Sequence, residues 1–134
     1  MKKIAIIGAG ISGLFIANLF RENPDYSLTI YEKNSSINME EGYGIQLSIN
    51  SIKLLNQIGF DALNKNEIFN PEKIDFYESI QEKKICDLNI SEFNFENCKY
   101  TTLKRSKLVE FLKNRLEVNI IKYDHDIEKI EKNN

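Results

Sequence analysis

The apolar positions of this chain fall into runs of two different periods, and those runs alternate along most of its length. Lys3-Ile4-Ala5-Ile6-Ile7 puts Ile4 and Ile6 on one side of an extended segment, whereas Leu14, Ala17 and Phe20 recur at helical spacing. Asn23-Pro24 stops that helix, since proline disfavours the helical conformation of the residue before it. Leu28 and Ile30 alternate again toward Glu32, so the chain opens as strand, helix, strand. The polar stretch Asn34-Ser35-Ser36-Ile37-Asn38 reads as a loop. Beyond it, Gly42-Tyr43-Gly44 leads into a short strand in which Ile45 and Leu47 alternate. Asn50 or Ser51 is placed to cap a helix carrying Ile52, Leu54, Leu55 and Ile58 and ending at Gly59. Ile74-Asp75-Phe76-Tyr77 and Lys84-Ile85-Cys86-Asp87-Leu88, joined through Gln81 and Glu82, predict a hairpin. Tyr100 to Leu103 is extended, and Ser106 is expected to cap a helix whose apolar face is Leu108, Phe111, Leu112 and Leu116. Val118-Asn119-Ile120-Ile121 predicts a third strand of the parallel type, and Ile127 to Lys132 the start of another. Strands alternating with helices place the chain in the α/β class.

The turn between the first strand and helix is Gly8-Ala9-Gly10-Ile11-Ser12-Gly13. Gly8 suits a tight turn, Gly10 has no side chain to block a pyrophosphate, and Gly13 lets the helix lie close on the sheet. Phosphates would meet the unpaired N–H groups of the first helical turn and the positive end of the helix dipole. Glu32 ends the second strand, where a carboxylate accepts ribose hydroxyls and repels a ribose 2′-phosphate. A glycine triplet alone is common. Strand, turn, helix and acid in this order predict a Rossmann-like dinucleotide site that fits FAD or NAD but not NADP.

At 134 residues with a net charge of −2, the chain can bury one modest core. Its charges are interspersed, as in Glu82-Lys83-Lys84, so it offers no basic face to nucleic acid. Met1-Lys2-Lys3 before an apolar stretch imitates a signal peptide, but the glycines in fingerprint register argue against one. So does the lack of a small-residue cleavage site before Arg21 and Glu22. With no stretch apolar enough to span a bilayer, a soluble, cytoplasmic protein with no membrane partner is expected. Cys86 and Cys98 are too far apart for a Cys-x-x-Cys motif and have no nearby histidine, so no metal is expected. Both are read as reduced, with Cys86 facing a sheet interior. His125, between Asp124 and Asp126, reads as a solvent-facing turn residue. Arg105 directly before a helix start faces the positive end of a dipole, a conflict that a bound anion would resolve.

Four patches together resemble the N-terminal FAD-binding part of the group A flavin monooxygenases, the aromatic hydroxylases typified by p-hydroxybenzoate and salicylate hydroxylases. They are Gly8 to Gly13, Tyr31-Glu32-Lys33, the run Gly42 to Asn50 before a helix ending in Ile58-Gly59, and Leu103-Lys104-Arg105-Ser106-Lys107-Leu108 before Leu112. The resemblance implies a Rossmann-like FAD/NAD(P)-binding βαβ core with an inserted β-hairpin around residues 70–100. It implies that Gly8, Ala9, Gly10, Ile11, Ser12 and Gly13 hold the pyrophosphate of FAD, and that Glu32, with Lys33 beside it, serves the ribose. Arg105 would serve the phosphate and ribityl region, while Gly44, Ile45 and Gln46 would run near the flavin. It further implies NAD(P)H as co-substrate and hydroxylation of a small aromatic substrate with O₂, the chemistry belonging to the flavin. No catalytic residue is assigned.

Ile49-Asn50 stands where this family commonly has proline before asparagine. The family's later Asp-Gly and Gly-Asp motifs are missing, so the chain reads as a partial FAD-binding domain, incomplete at its C-terminus, needing downstream sequence or a complementary chain. Other readings sharing the same features are the entry half of a related FAD-dependent reductase or epoxidase, and a non-catalytic nucleotide-binding subunit. The 134 residues alone are expected to hold FAD poorly, and a purified sample should emerge from gel filtration colourless rather than yellow.

Overall fold

The computed structural model describes residues 1–39, 43–63 and 65–131; the expectations for Gly42 and for Lys132 lie outside them. Its elements run β1 (Lys2–Ile7), α1 (Ile11–Phe20), β2 (Tyr26–Tyr31), β3 (Gly44–Leu47), α2 (Ile49–Asn56), β4 (Ile68–Phe69), β5 (Lys73–Tyr77), β6 (Lys84–Asn89), β7 (Thr101–Lys104), α3 (Arg105–Asn114) and β8 (Ile121–Lys122). They form two compact units, one comprising Met1–Gly42 with Arg105–Asn134, the other Tyr43–Lys104.

The first unit is a parallel sheet in the order β1-β2-β8. Its register sets Ile6 beside Ile30 and Ile30 beside Ile121, so one row of isoleucines crosses all three strands. The period-2 alternation of β1 sends Ile6 toward α1, while Ile7 on the other face is 56% exposed. Leu14 and Ala17 of α1 are fully buried, as are Leu108, Val109 and Leu112 of α3. The Phe20 and Tyr26 rings pack edge to face, 5.2 Å between centroids, which ties the end of α1 to the start of β2.

Two polar side chains finish this packing. Asn18, itself buried, donates from Nδ2 to the carbonyls of Leu14 (2.8 Å) and Leu112 (2.9 Å). Arg21 donates from Nη1 to the carbonyl of Arg115 at 2.7 Å. Both Leu112 and Arg115 lie at the C-terminal end of α3, where carbonyls have no partner within the helix. The α1 side chains therefore supply the missing donors for the last turn of α3.

The second unit has a three-stranded antiparallel sheet, β3-β7-β4, and the separate hairpin β5-β6. Its core is Ile52, Leu55, Ile58, Phe60, Ile90, Cys98 and Leu103. The hairpin confirms the alternating runs, but Cys86 is exposed rather than turned to an interior. Alternation decides which side a residue faces, not whether anything covers that side. Ile85 next to it is 68% exposed on the opposite face.

Other boundaries also shift. α2 begins at Ile49 after an extended Ser48, so Asn50 and Ser51 lie inside its first turn. It ends at Asn56, and successive i→i+3 bonds carry the chain to Gly59, whose φ of 80° reverses it. α3 starts at Arg105, not after Ser106, because Lys104 is still paired with Gly44 as strand. Of the expected third strand only Ile121 is extended, and it continues into Lys122, since residues 117–120 are spent on a turn from α3 to the sheet; Val118 is 94% exposed. Among the described residues, Ile127 to Glu131 form no strand.

Asn18→Ala should lower the unfolding free energy by about 1–2 kcal/mol in urea denaturation, because a buried carbonyl loses its donor. Asn18→Asp should cost more, because a buried carboxylate facing two carbonyls has no proton to give.

Candidate dinucleotide site

The site forms where the strands of the first unit end. Gly8 closes β1 with φ of 93°, a conformation that costs little only without a side chain, and its N–H donates to the Tyr31 carbonyl at 2.8 Å. Gly10 precedes α1 in an extended conformation, with no side chain capping the helix. A Cβ built on Gly8 or Gly10 would meet nothing within 4 Å, so the space above the turn is open. Gly13 is different: a Cβ there would stand 2.1 Å from the Gly8 carbonyl oxygen and 3.2 Å from Ile6. That glycine sets how closely α1 rests on β1. The N–H groups of Ile11, Ser12 and Gly13 have no acceptor among the described residues, and no acidic side chain occupies the first turn. A short nest of donors at a positive helix end therefore faces open space.

Glu32 closes the other side. It is 9% exposed, and its Oε2 accepts the Ala9 N–H at 2.8 Å, within the glycine turn itself. Oε1 accepts both the N–H (3.0 Å) and the side-chain amide (2.8 Å) of Asn34. The backbone N–H of Asn34, then that of Ala9, hold the Glu32 carboxyl below its ordinary value, and outweigh the opposing effect of burial. A carboxylate has about four acceptor positions, so one remains, on Oε2. It can take one ribose hydroxyl rather than two.

The backbone around Glu32 is pinned by the chain beyond β8. Glu32 N–H donates to the Lys122 carbonyl, His125 N–H to the Glu32 carbonyl, and Asp124 N–H to the Asn34 carbonyl. Asp124 takes φ of 58° to make this turn. His125 is exposed, as its sequence position indicated, with its ring 5.7 Å from that of Tyr31. Asn34 escaped the sequence reading. The only signal was an asparagine two residues after the acid, in a segment that reads as an unremarkable polar loop.

Arg105 belongs to the same unit and donates from Nη1 to the Asn38 carbonyl at 3.3 Å, on the loop that follows Glu32. Lys33 is exposed beside Glu32. Gly44, Ile45 and Gln46 lie in the second unit, on β3; Ile45 pairs with Leu103, and Gln46 Oε1 accepts the Tyr100 hydroxyl at 2.9 Å. No group of three or more metal-ligating side chains exists among the described residues. None of the described helices is long and apolar enough to cross a membrane.

Residues 6–40, which span the glycine turn and Glu32, match the family model of the NAD(P)-binding Rossmann-like domain. No curated protein matches the chain. Among solved structures, HpxO of Klebsiella pneumoniae, complexed with FAD and uric acid, is similar at 15% identity and TM-score 0.80 over 98% of this chain and 33% of its own. The 2,6-dihydroxypyridine-3-hydroxylase of Arthrobacter nicotinovorans is similar at 14% identity and TM-score 0.76, over 98% of this chain and 31% of its own. The 2-methyl-3-hydroxypyridine-5-carboxylic acid oxygenase gives 22% identity and TM-score 0.73, over 92% and 32%. Over the matched part, the chain shares the fold of these three proteins. It spans about a third of their length.

Gly13→Ala should destabilise the protein by about 2–3 kcal/mol, because backbone must move to admit the methyl group. Gly10→Ala should change stability by less than about 0.5 kcal/mol while weakening nucleotide binding, a contrast that denaturation and titration together reveal. Since folding depresses the Glu32 pKa, its contribution to stability is fully present above 4.5, the unfolded value, and is lost as pH falls through the lower folded value. The melting-temperature gap between wild type and Glu32→Gln should therefore hold steady at neutral pH and close on acidification below 4.5.

Proposed function

We propose that this chain supplies the nucleotide-binding part of an FAD-dependent hydroxylase acting on a small aromatic or heteroaromatic substrate, with NAD(P)H as reductant. The observation that carries the reading is the Glu32 carboxylate seated on the Ala9 N–H of an open glycine turn, with one acceptor position still free. The donor set fits the adenosine diphosphate half of FAD. Ile11, Ser12 and Gly13 offer N–H groups to the pyrophosphate, Gly8 and Gly10 leave room for it, Ala9 ties the turn to Glu32, and Glu32 accepts a ribose hydroxyl. Arg105 adds a cation at the start of α3, and Lys33 another beside Glu32. Gly44, Ile45 and Gln46 serve the flavin end in this reading, with the hairpin around residues 70–100 as an insertion in a partial FAD-binding domain. FAD supplies the electron transfer and oxygen chemistry when bound; this chain binds and orients it. The similarity in fold to an FAD complex, HpxO, supports FAD over other dinucleotides.

NAD is the second reading, favoured by the NAD(P)-binding family match over residues 6–40. Isotope-labelled protein titrated with FAD, ADP, NADH and 2′-phospho-ADP-ribose separates the two. FAD and ADP should both shift the amides of Gly8 to Gly13, with FAD the tighter, and Glu32→Gln should weaken each about ten-fold, the value of one charge-assisted hydrogen bond. NADH binding as tightly as FAD would favour the second reading. Equal binding of the 2′-phosphate, or no shift at the turn, would defeat both.

A further inference from the structure

A second concavity of about 480 Å³ opens at the other end of the first unit's sheet, where the strands begin. Its wall includes Arg21, Tyr26, Leu28, Arg115, Glu117 and Ile120. That volume lies in the range of small-molecule sites, about 300–1,000 Å³. The two arginines differ in what they already do. Arg21 is accounted for, with one nitrogen on the Arg115 carbonyl and another on Glu22 Oε1 at 2.5 Å. The Arg115 guanidinium is not. It lies over the Phe111 ring, its Cζ 5.4 Å from the centroid, and its Nε is shut off from solvent with no hydrogen-bond partner. No carboxylate or carbonyl among the described residues pairs with the rest of the group.

Nε, shut off from solvent, is out of a ligand's reach, so an anion entering the cavity would meet the terminal nitrogens Nη1 and Nη2, with Nε–H as the reporter of that contact. The rigid fork of arginine matches a carboxylate or a phosphate in two parallel bonds, and the cation–π contact with Phe111 helps to hold it. Leu28, Ile120 and the Tyr26 ring give the same cavity an apolar side. The ends of α1 and α3 that border it are negative, which disfavours an anion, but Arg21 already covers the α3 carbonyl. Two carboxylates line the cavity: Glu22 is paired with Arg21, and Glu117, exposed on the loop before β8, is the opposing charge with no cation on it among the described residues.

We propose that this cavity binds a small organic anion, its carboxylate or phosphate on Arg115 and its apolar body against Leu28, Ile120 and Tyr26. The site is separate from the glycine turn and does not depend on the nucleotide reading. The test follows the Nε–H signal of Arg115 and the amides of Leu28 and Ile120 by NMR during titration with phenylacetate, phenyl phosphate and, as neutral control, phenylacetamide. At least one of the two anions should shift these signals saturably, and the stronger of the two identifies the headgroup. Arg115→Gln should weaken binding by about ten-fold or more and Arg115→Lys by about five-fold, since lysine keeps the charge but not the fork. Glu117→Gln, which leaves Arg115 and its packing untouched, should tighten binding about two-fold by removing a like charge. Equal binding of phenylacetamide would overturn the proposal, as would anion shifts that survive Arg115→Gln. Silence of the Arg115 Nε–H toward both anions at saturating concentrations would overturn it too. Should Arg115→Gln fail to fold, an unchanged or weakened affinity in Glu117→Gln would also count against it.

Discussion

The hydrogen bond from the Ala9 N–H to the Glu32 carboxylate is the constraint around which the first unit is arranged. It joins the turn after β1 to the end of β2, residues 23 apart in sequence. The bond can form only because the two strands run parallel and end level, and because Gly8 turns the chain sharply enough to aim the Ala9 N–H sideways. Its charge-assisted character makes it stronger than an ordinary backbone bond, and burial shields it from competing water. A carboxylate shielded to this degree would be costly if unpaired. Here it is satisfied by backbone and by Asn34, so the fold holds an ionised acid where a nucleotide would meet it.

The same acid links folding to ligand geometry. Three of its acceptor positions are occupied within the protein, which fixes the carboxylate plane and leaves a single direction of approach. In the proposed nucleotide site a ribose hydroxyl would take that vacancy. A second would have to displace Asn34. Three backbone bonds, from Lys122 at the end of β8 and from Asp124 and His125 just beyond it, hold the Glu32–Asn34 loop in place. Positioning of this kind comes from the main chain, so it tolerates changes in side chain at positions 122–125 as long as the turn at Asp124 survives.

At the opposite end of the sheet, helix termini set the requirements instead. Asn18 and Arg21 both complete the end of α3 from α1, one from within the core and one from its rim. Arg115 lies on the same rim with its Nε unspent. The two ends of one sheet thus present opposite problems: free N–H groups beside a satisfied acid at one, and a free guanidinium beside satisfied carbonyls at the other.

The opening strand, turn, helix and strand were legible in the sequence because each depends on local rules. Glycine alone tolerates the φ of Gly8, helical spacing buries Leu14 and Ala17, and Ile30 follows the period of a strand. The hairpin was legible for the same reason. Gly13 could be assigned its packing role from the motif, and the 2.1 Å approach to Gly8 gives that role its physical cause. Where elements begin and end was less legible. Arg105 enters α3 only because Lys104 is held as strand by Gly44, and the Val118 run is spent on a turn because the chain must first reach the sheet edge. Cys86 shows the same limit, since a period of two names a face but not what covers it. By itself, the sequence determined the βαβ opening, the glycine turn and the acid at its rim, because these follow from backbone sterics and side-chain period. Tertiary structure alone decided that Asn34 fills half of that acid's capacity and that Arg115 is left without an acceptor. Both follow from which groups meet across distant segments, and no local pattern encodes that.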